Sequence, residues 1–116
     1  MIAFSIPGNP VPKGRPRFGG GRAYTPNRTK AYESKVRMLA LQARQECRQR
    51  PLRGDVSVVI DICGYKRADI DNISKSILDA CNGVLYLDDR QIQRLVASRI
   101  DADEARVDVT VEDISK

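Results

Sequence analysis

Asp69 and Asp71 stand in the run Asp69-Ile70-Asp71-Asn72-Ile73-Ser74-Lys75, where a strand pattern gives way to a helix pattern, and Asp88-Asp89 add a second carboxylate pair downstream. In extended chain, residues two apart point the same way, so Asp69 and Asp71 can converge. Once a helix begins, Asp71 and Lys75 lie one turn apart on one face. Hard divalent cations require oxygen ligands, and Mg2+ commonly takes few protein carboxylates while phosphate and water fill the rest of its shell. Two such ions about 4 Å apart can activate an attacking water and stabilise the leaving oxygen of a phosphodiester. Lys75 would then balance charge on the phosphate or help orient the water. The plainer reading makes Asp71 a helix N-cap, worth roughly 1 kcal/mol, and Asp88-Asp89 a polar turn. A single D-x-D is weak evidence. Two Asp pairs, a lysine one turn on and a basic loop elsewhere in the chain together point to a metal-dependent nuclease.

The 116 residues contain no histidine. That removes imidazole general bases, Ser-His-Asp triads and histidine-ligated zinc, so any chemistry runs on carboxylates, lysine, arginine, hydroxyls or thiols. Cys47, Cys63 and Cys81 are widely spaced, with no C-x-x-C pair. They read as reduced, buried thiols of a cytoplasmic protein.

Charge is divided along the chain. Residues 1–50 hold eleven lysines and arginines against Glu33 and Glu46, a net charge of +9, whereas residues 51–116 hold nine basic and thirteen acidic residues, a net charge of −4. A basic surface of this kind fits a polyanion, most often nucleic acid, although a solvated basic helix that only aids solubility is the plainer alternative. Lys13, Arg15, Arg17 and Arg22, interleaved with Phe18 and Tyr24, lie in a Gly/Pro-rich loop at about residues 8–25 that has no acidic residue. Cations for phosphates and rings for stacking are what a nucleic-acid contact uses; a plain linker is the alternative.

The elements that must position these groups follow from periodicity. Ile2, Phe4 and Ile6 alternate with smaller residues, which predicts a first strand ending at Pro7. Gly19-Gly20-Gly21 can turn a small hairpin between Arg17-Phe18 and Arg22-Ala23-Tyr24. Thr25-Pro26 can start a helix on which Tyr32, Val36, Leu39, Ala40 and Ala43 share a face and which fades near Cys47. Val56, Val58, Ile60 and Ile62 predict a strand with one buried face. A second helix follows, with Asp71 as a plausible N-cap, an inner stripe of Ile73, Ile77, Ala80 and Cys81, and a C-cap signal at Asn82-Gly83. A short apolar piece, Val84-Leu85-Tyr86-Leu87, leads into Asp88-Asp89. Ile92–Ile100 and Ala105–Ile114 read as strands joined by an acidic turn, Asp101-Ala102-Asp103-Glu104. The resulting order, β-α-β-α-β-β, predicts a single α+β domain over residues 1–116, a small mixed β-sheet with two helices packed on one side. No apolar run is long enough for a transmembrane helix, and the N-terminus lacks the basic start of a signal peptide.

These motifs resemble the RusA family of Holliday-junction resolvases. The core of the resemblance is Asp69-x-Asp71-Asn72-x-x-Lys75, then Asp79, Asn82-Gly83 and Asp88-Asp89-x-Gln91. The front end adds Pro12-Lys13-Gly14-Arg15-Pro16-Arg17-Phe18, Tyr24-Thr25-Pro26 and Tyr32. The match spans most of the chain. It implies a homodimer, without membrane attachment or organic cofactor, that binds four-way DNA junctions and nicks two strands symmetrically with Mg2+ or Mn2+ in recombination and repair. It implies Asp69, Asp71 and Asp89 as catalytic, metal-binding carboxylates, Asp88 as a supporting acid and Lys75 as the catalytic lysine. Where some relatives carry a basic residue directly before the first Asp, this chain has Ala68, with Arg67 one step earlier; Arg67 joins Lys13, Arg15, Arg17 and Arg22 as an expected DNA contact. Such proteins are often encoded by prophages. Two alternatives share much of this pattern: a non-catalytic nucleic-acid-binding module, and a nuclease of the same chemistry that prefers flaps or other branched DNA.

Overall fold

The computed structural model describes residues 1–14, 17–19, 22–24 and 27–115, with 17–19 and 22–24 described by their backbone. The apolar alternations become the strands β1 (Ile2–Pro7), β4 (Val56–Cys63) and β6 (Arg106–Asp113), and the run Ile92–Ile100 becomes β5. They form one mixed sheet in the order β1-β6-β4-β5. β6 runs antiparallel to both β1 and β4, and β4 runs parallel to β5. A parallel pair needs a long crossover, and here α2 (Ile70–Cys81) supplies it. β2 (Arg17–Gly19) and β3 (Arg22–Tyr24) form a separate two-stranded hairpin ahead of α1 (Asn27–Glu46). The order of six elements expected from the sequence leaves these two strands out, although the triple-glycine signal marks their turn.

Side-chain parity decides which face of the sheet carries the helices. Ile2 and Ile6 of β1, Val56, Val58, Ile60 and Ile62 of β4, and Val107, Val109 and Val111 of β6 all enter one core. The same core takes Tyr32, Val36, Ala40 and Ala43 from α1 and Ile73, Ile77, Ala80 and Cys81 from α2, so both helices cover that face. Each fully buried Ile or Val contributes about 1.5–3 kcal/mol relative to exposure. The opposite face takes the intervening residues, among them Ser5, Asp61, Asp108 and Thr110, whose polarity suits the face turned away from α1 and α2.

Three expectations change. Asp69, not Asp71, is the N-cap of α2; its side chain makes no capping hydrogen bond, and Asp71 already lies in the first helical turn. The two therefore do not share an extended segment, because the helix begins between them. Cys47 is exposed just past the end of α1, whereas Cys63 and Cys81 are buried, and burial pushes the Cys81 thiol up to about 12. Val84, Leu85 and Tyr86 enter the core without forming a strand. Among the described residues, no helix is long and apolar enough to cross a membrane.

Candidate active site

α2 and β5 leave between them a cleft of about 430 Å³. Its walls carry Asp71, Lys75 and Asp79 from α2 and Asp89 from the short 3-10 turn Asp89–Gln91, over an apolar floor that includes Ile92 and Ala97. Helical spacing explains the first three: Asp71, Lys75 and Asp79 are successive i, i+4 positions and share one face. Asp89 comes from the far side of the crossover, so the fold, not local sequence, brings it to Asp71 and Lys75.

Asp89 is held there by a neighbour. The Gln91 side-chain oxygen accepts from the backbone N–H of Leu87 (2.7 Å) and Asp88 (2.8 Å), while its nitrogen donates to the carbonyls of Leu52 (2.8 Å) and Gly54 (2.9 Å). One amide thus uses its acceptor and both donors to pin the segment bearing Asp89 to the chain before β4. Asp88 completes the local capping box, accepting from the Arg90 backbone N–H at 3.1 Å and pairing with the Arg90 guanidinium at 3.2 Å. The Arg90 hydrogen bonds hold the Asp88 carboxyl below its ordinary range.

The loop that delivers Asp69 is fixed from β5. Arg99 donates to the carbonyls of Tyr65 (3.1 Å) and Ala68 (2.5 Å). Ala68 has φ of 63°, a left-handed conformation that costs a residue with a Cβ roughly 1 kcal/mol or more; the Arg99 fork offsets that strain. Sequence reasoning missed Gln91 and Arg99 as positioning groups, since each donates to backbone carbonyls that only the fold brings beside it, Leu52 and Gly54 for Gln91 and Tyr65 and Ala68 for Arg99. Asp79 stood among the motif residues without a role.

Electrostatically the cleft is acid-rich. Asp89 keeps much of its surface in solvent, yet partial dehydration, reinforced by the Asp79 charge, pushes its carboxyl up against the opposing pull of Lys75. The Asp71 carboxylate accepts only from its neighbouring Asn72 N–H, at 3.0 Å, and the Asp89 carboxylate makes no hydrogen bond or ion pair among the described residues. Oxygen donors with spare lone pairs and surplus negative charge suit a hard divalent cation, and Mg2+ needs only one or two protein carboxylates. Among the described residues no three acidic or thiol side chains stand close enough to hold one ion. The expected set of four is thus divided: Asp71 and Asp89 line the cleft, whereas Asp69 and Asp88 are not among its lining residues.

Of the expected DNA contacts, Lys13 is engaged inside the fold, with Glu33 at 2.7 Å and Asp79 at 3.0 Å. Arg67 is exposed on the loop before α2. Arg15 lies outside the described residues, and the side chains of Arg17 and Arg22 do as well.

Comparison with known proteins adds two findings. The model of the family described as endodeoxyribonuclease RusA matches residues 7–112. The chain is also similar to the uncharacterized protein YqaN of Bacillus subtilis (strain 168), at 28% identity over 143 residues, covering 98% of this chain and 97% of that protein.

Proposed function

The chain belongs to the RusA endodeoxyribonuclease family, and from that premise we propose that it is a divalent-metal-dependent endonuclease that resolves four-way DNA junctions by paired, symmetric nicks. The observation that carries this reading is the meeting in one cleft of Asp71 and Lys75, one helical turn apart, with Asp89 from the separate turn before β5. Asp71 and Asp89 are the residues that would hold Mg2+ or Mn2+, with Asp69 at the adjacent helix start in support. When bound, such an ion supplies Lewis acidity to the scissile phosphate and lowers the pKa of its water.

The chain's own groups do the rest. The Lys75 ammonium, exposed over much of its length, meets the incoming phosphate and offsets its charge. The apolar floor limits the water around the reacting phosphate, which strengthens each electrostatic contact there. The positive N-terminal half grips the arms through phosphates, with Arg15, Arg17, Arg22 and Arg67 the proposed contacts. A homodimer gives the two-fold arrangement needed to cut two strands of like polarity, one per subunit. The cytoplasm, where the DNA substrate is found, is the proposed setting.

The test is cleavage of a synthetic four-way junction with and without Mg2+, in competition with a flap and linear duplex. Preference for the junction is expected. Preference for the flap assigns the same chemistry to another branched substrate, and nicking of no DNA at all would leave a binding module.

A further inference from the structure

Lys13 is held where two helices and the base of the basic loop meet. Its backbone N–H donates to the Asn72 carbonyl at 2.8 Å, and the next residue, Gly14, donates to the Thr29 hydroxyl at 3.2 Å. Two residues earlier, the Val11 carbonyl accepts from Ser76 at 2.8 Å. Thr29 and Ser76 are buried polar residues on α1 and α2, so both helices hold the segment Val11–Gly14 from below. The Lys13 ammonium then bridges Glu33 of α1 and Asp79 of α2. Burial alone would lower the Lys13 ammonium, but its bonds to Glu33 and Asp79 outweigh that and hold it above its ordinary range.

Asp79 uses both its oxygens. Oδ2 takes Lys13 at 3.0 Å, and Oδ1 takes Lys75 at 3.3 Å. The Lys13, Glu33 and Asp79 side chains are about three-quarters shielded, at 23%, 21% and 23% exposure, whereas Lys75 is 62% exposed. A lysine followed four residues later by an aspartate is the weaker orientation of a helical ion pair. Alone, such an exposed pair would not hold a long, mobile lysine. What differs here is that the carboxylate is itself fixed from behind by a shielded cation.

We propose that Asp79 is a positioning residue, clamped by Lys13 through one oxygen so that the other holds the Lys75 ammonium in the cleft. Lys13 is accordingly a structural pin rather than a phosphate contact. This rests on the nuclease reading only in so far as Lys75 serves the chemistry; the clamp itself can be read without activity.

The test uses the full chain as wild type, Asp79→Asn, Lys13→Met, Lys13→Arg and the Asp79→Asn/Lys13→Met double variant, each checked for unchanged circular dichroism. The first readout is competitive acetylation of Lys75 by acetic anhydride, followed by mass spectrometry. Loss of the pair is expected to speed Lys75 acetylation about twofold, given the size of exposed ion pairs, in both Asp79→Asn and Lys13→Met. The double variant should be no faster than either single one, since coupled residues are not additive, and Lys13→Arg should restore protection. The second readout is junction binding in EDTA across a salt series, where Lys13→Met should keep the wild-type slope. The third is the single-turnover nicking rate at saturating protein, expected to fall on the order of tenfold in both single variants and to recover in Lys13→Arg. Unchanged Lys75 protection in Lys13→Met, or a salt slope reduced by about 0.9 as for a lost phosphate contact, overturns the proposal. If wild type nicks no DNA, the nuclease reading fails, while acetylation still decides the clamp.

Discussion

At the residue scale, the cleft sets stability against function. Asp89 is the clearest case, because partial dehydration and the charge of Asp79 push its carboxyl up. A carboxyl raised in the folded state opposes folding once ionised. The penalty is absent at low pH, where folded and unfolded states are both protonated. It grows as pH rises through the window just above the ordinary carboxylate range and is complete above the folded value. Asp89→Asn, in chelator-treated protein, is therefore expected to melt at or above the wild-type temperature at pH 7, with the gap closing toward pH 3, while nicking is lost. Thermal melts across that pH range check this, and a variant less stable than wild type at pH 7 would contradict it. That Asp71 and Lys75 share one helix face was legible in the sequence from their i, i+4 spacing, whereas Asp89 was singled out as a candidate beside them only by the family resemblance. The N-cap assignment was not legible, because Asp69 and Asp71 both suit that position and only the start of the helix at Ile70 decides between them.

At the element scale, the site depends on connections that periodicity does not register. The strands β1, β4 and β6 and both helices follow apolar spacing closely, and Asn82-Gly83 ends α2 as its type predicts, with Gly83 at φ of 81°. What spacing leaves out is how the short turn carrying Asp89 is fastened. Gln91→Ala removes the shared acceptor of Leu87 and Asp88 and the donor to Leu52 and Gly54. The expected cost is about 2 kcal/mol, a fall in Tm on the order of 8 °C, with nicking falling further than the loss of fold explains because Asp89 is released. Differential scanning calorimetry beside a cleavage assay separates the two effects. Gly64, at φ of 67°, closes the exit of β4, and an added Cβ would lie 2.6 Å from the Glu104 carbonyl oxygen. Gly64→Ala is expected to destabilise by more than about 1 kcal/mol, measured by urea unfolding; an unchanged midpoint would contradict the tight approach of the two turns.

At the scale of the whole molecule, the division of charge supplies the account. A +9 half suited to DNA and a −4 half containing the acid-rich cleft make one basic chain of net charge +5. Junction binding in EDTA should weaken steeply with salt, with a slope of log K against log salt on the order of −5, since each phosphate contact contributes about −0.9. A slope near −1 would mean that the basic half does not grip the backbone. The α+β class was legible from the chain because the last two strands follow one another with no helix between them, which breaks the alternation that a parallel α/β sheet needs. The joining of residue 71 to residue 89 across the α2–β5 crossover was not, because long-range packing places them. The proposed reaction is cutting of DNA in this cleft with a metal held by Asp71 and Asp89. Its most direct test is nicking of a synthetic four-way junction with Mg2+ by wild type and by Asp71→Asn. Wild type is expected to nick symmetrically and Asp71→Asn to bind without nicking; an Asp71→Asn protein that nicks at the wild-type rate would overturn the assignment of Asp71.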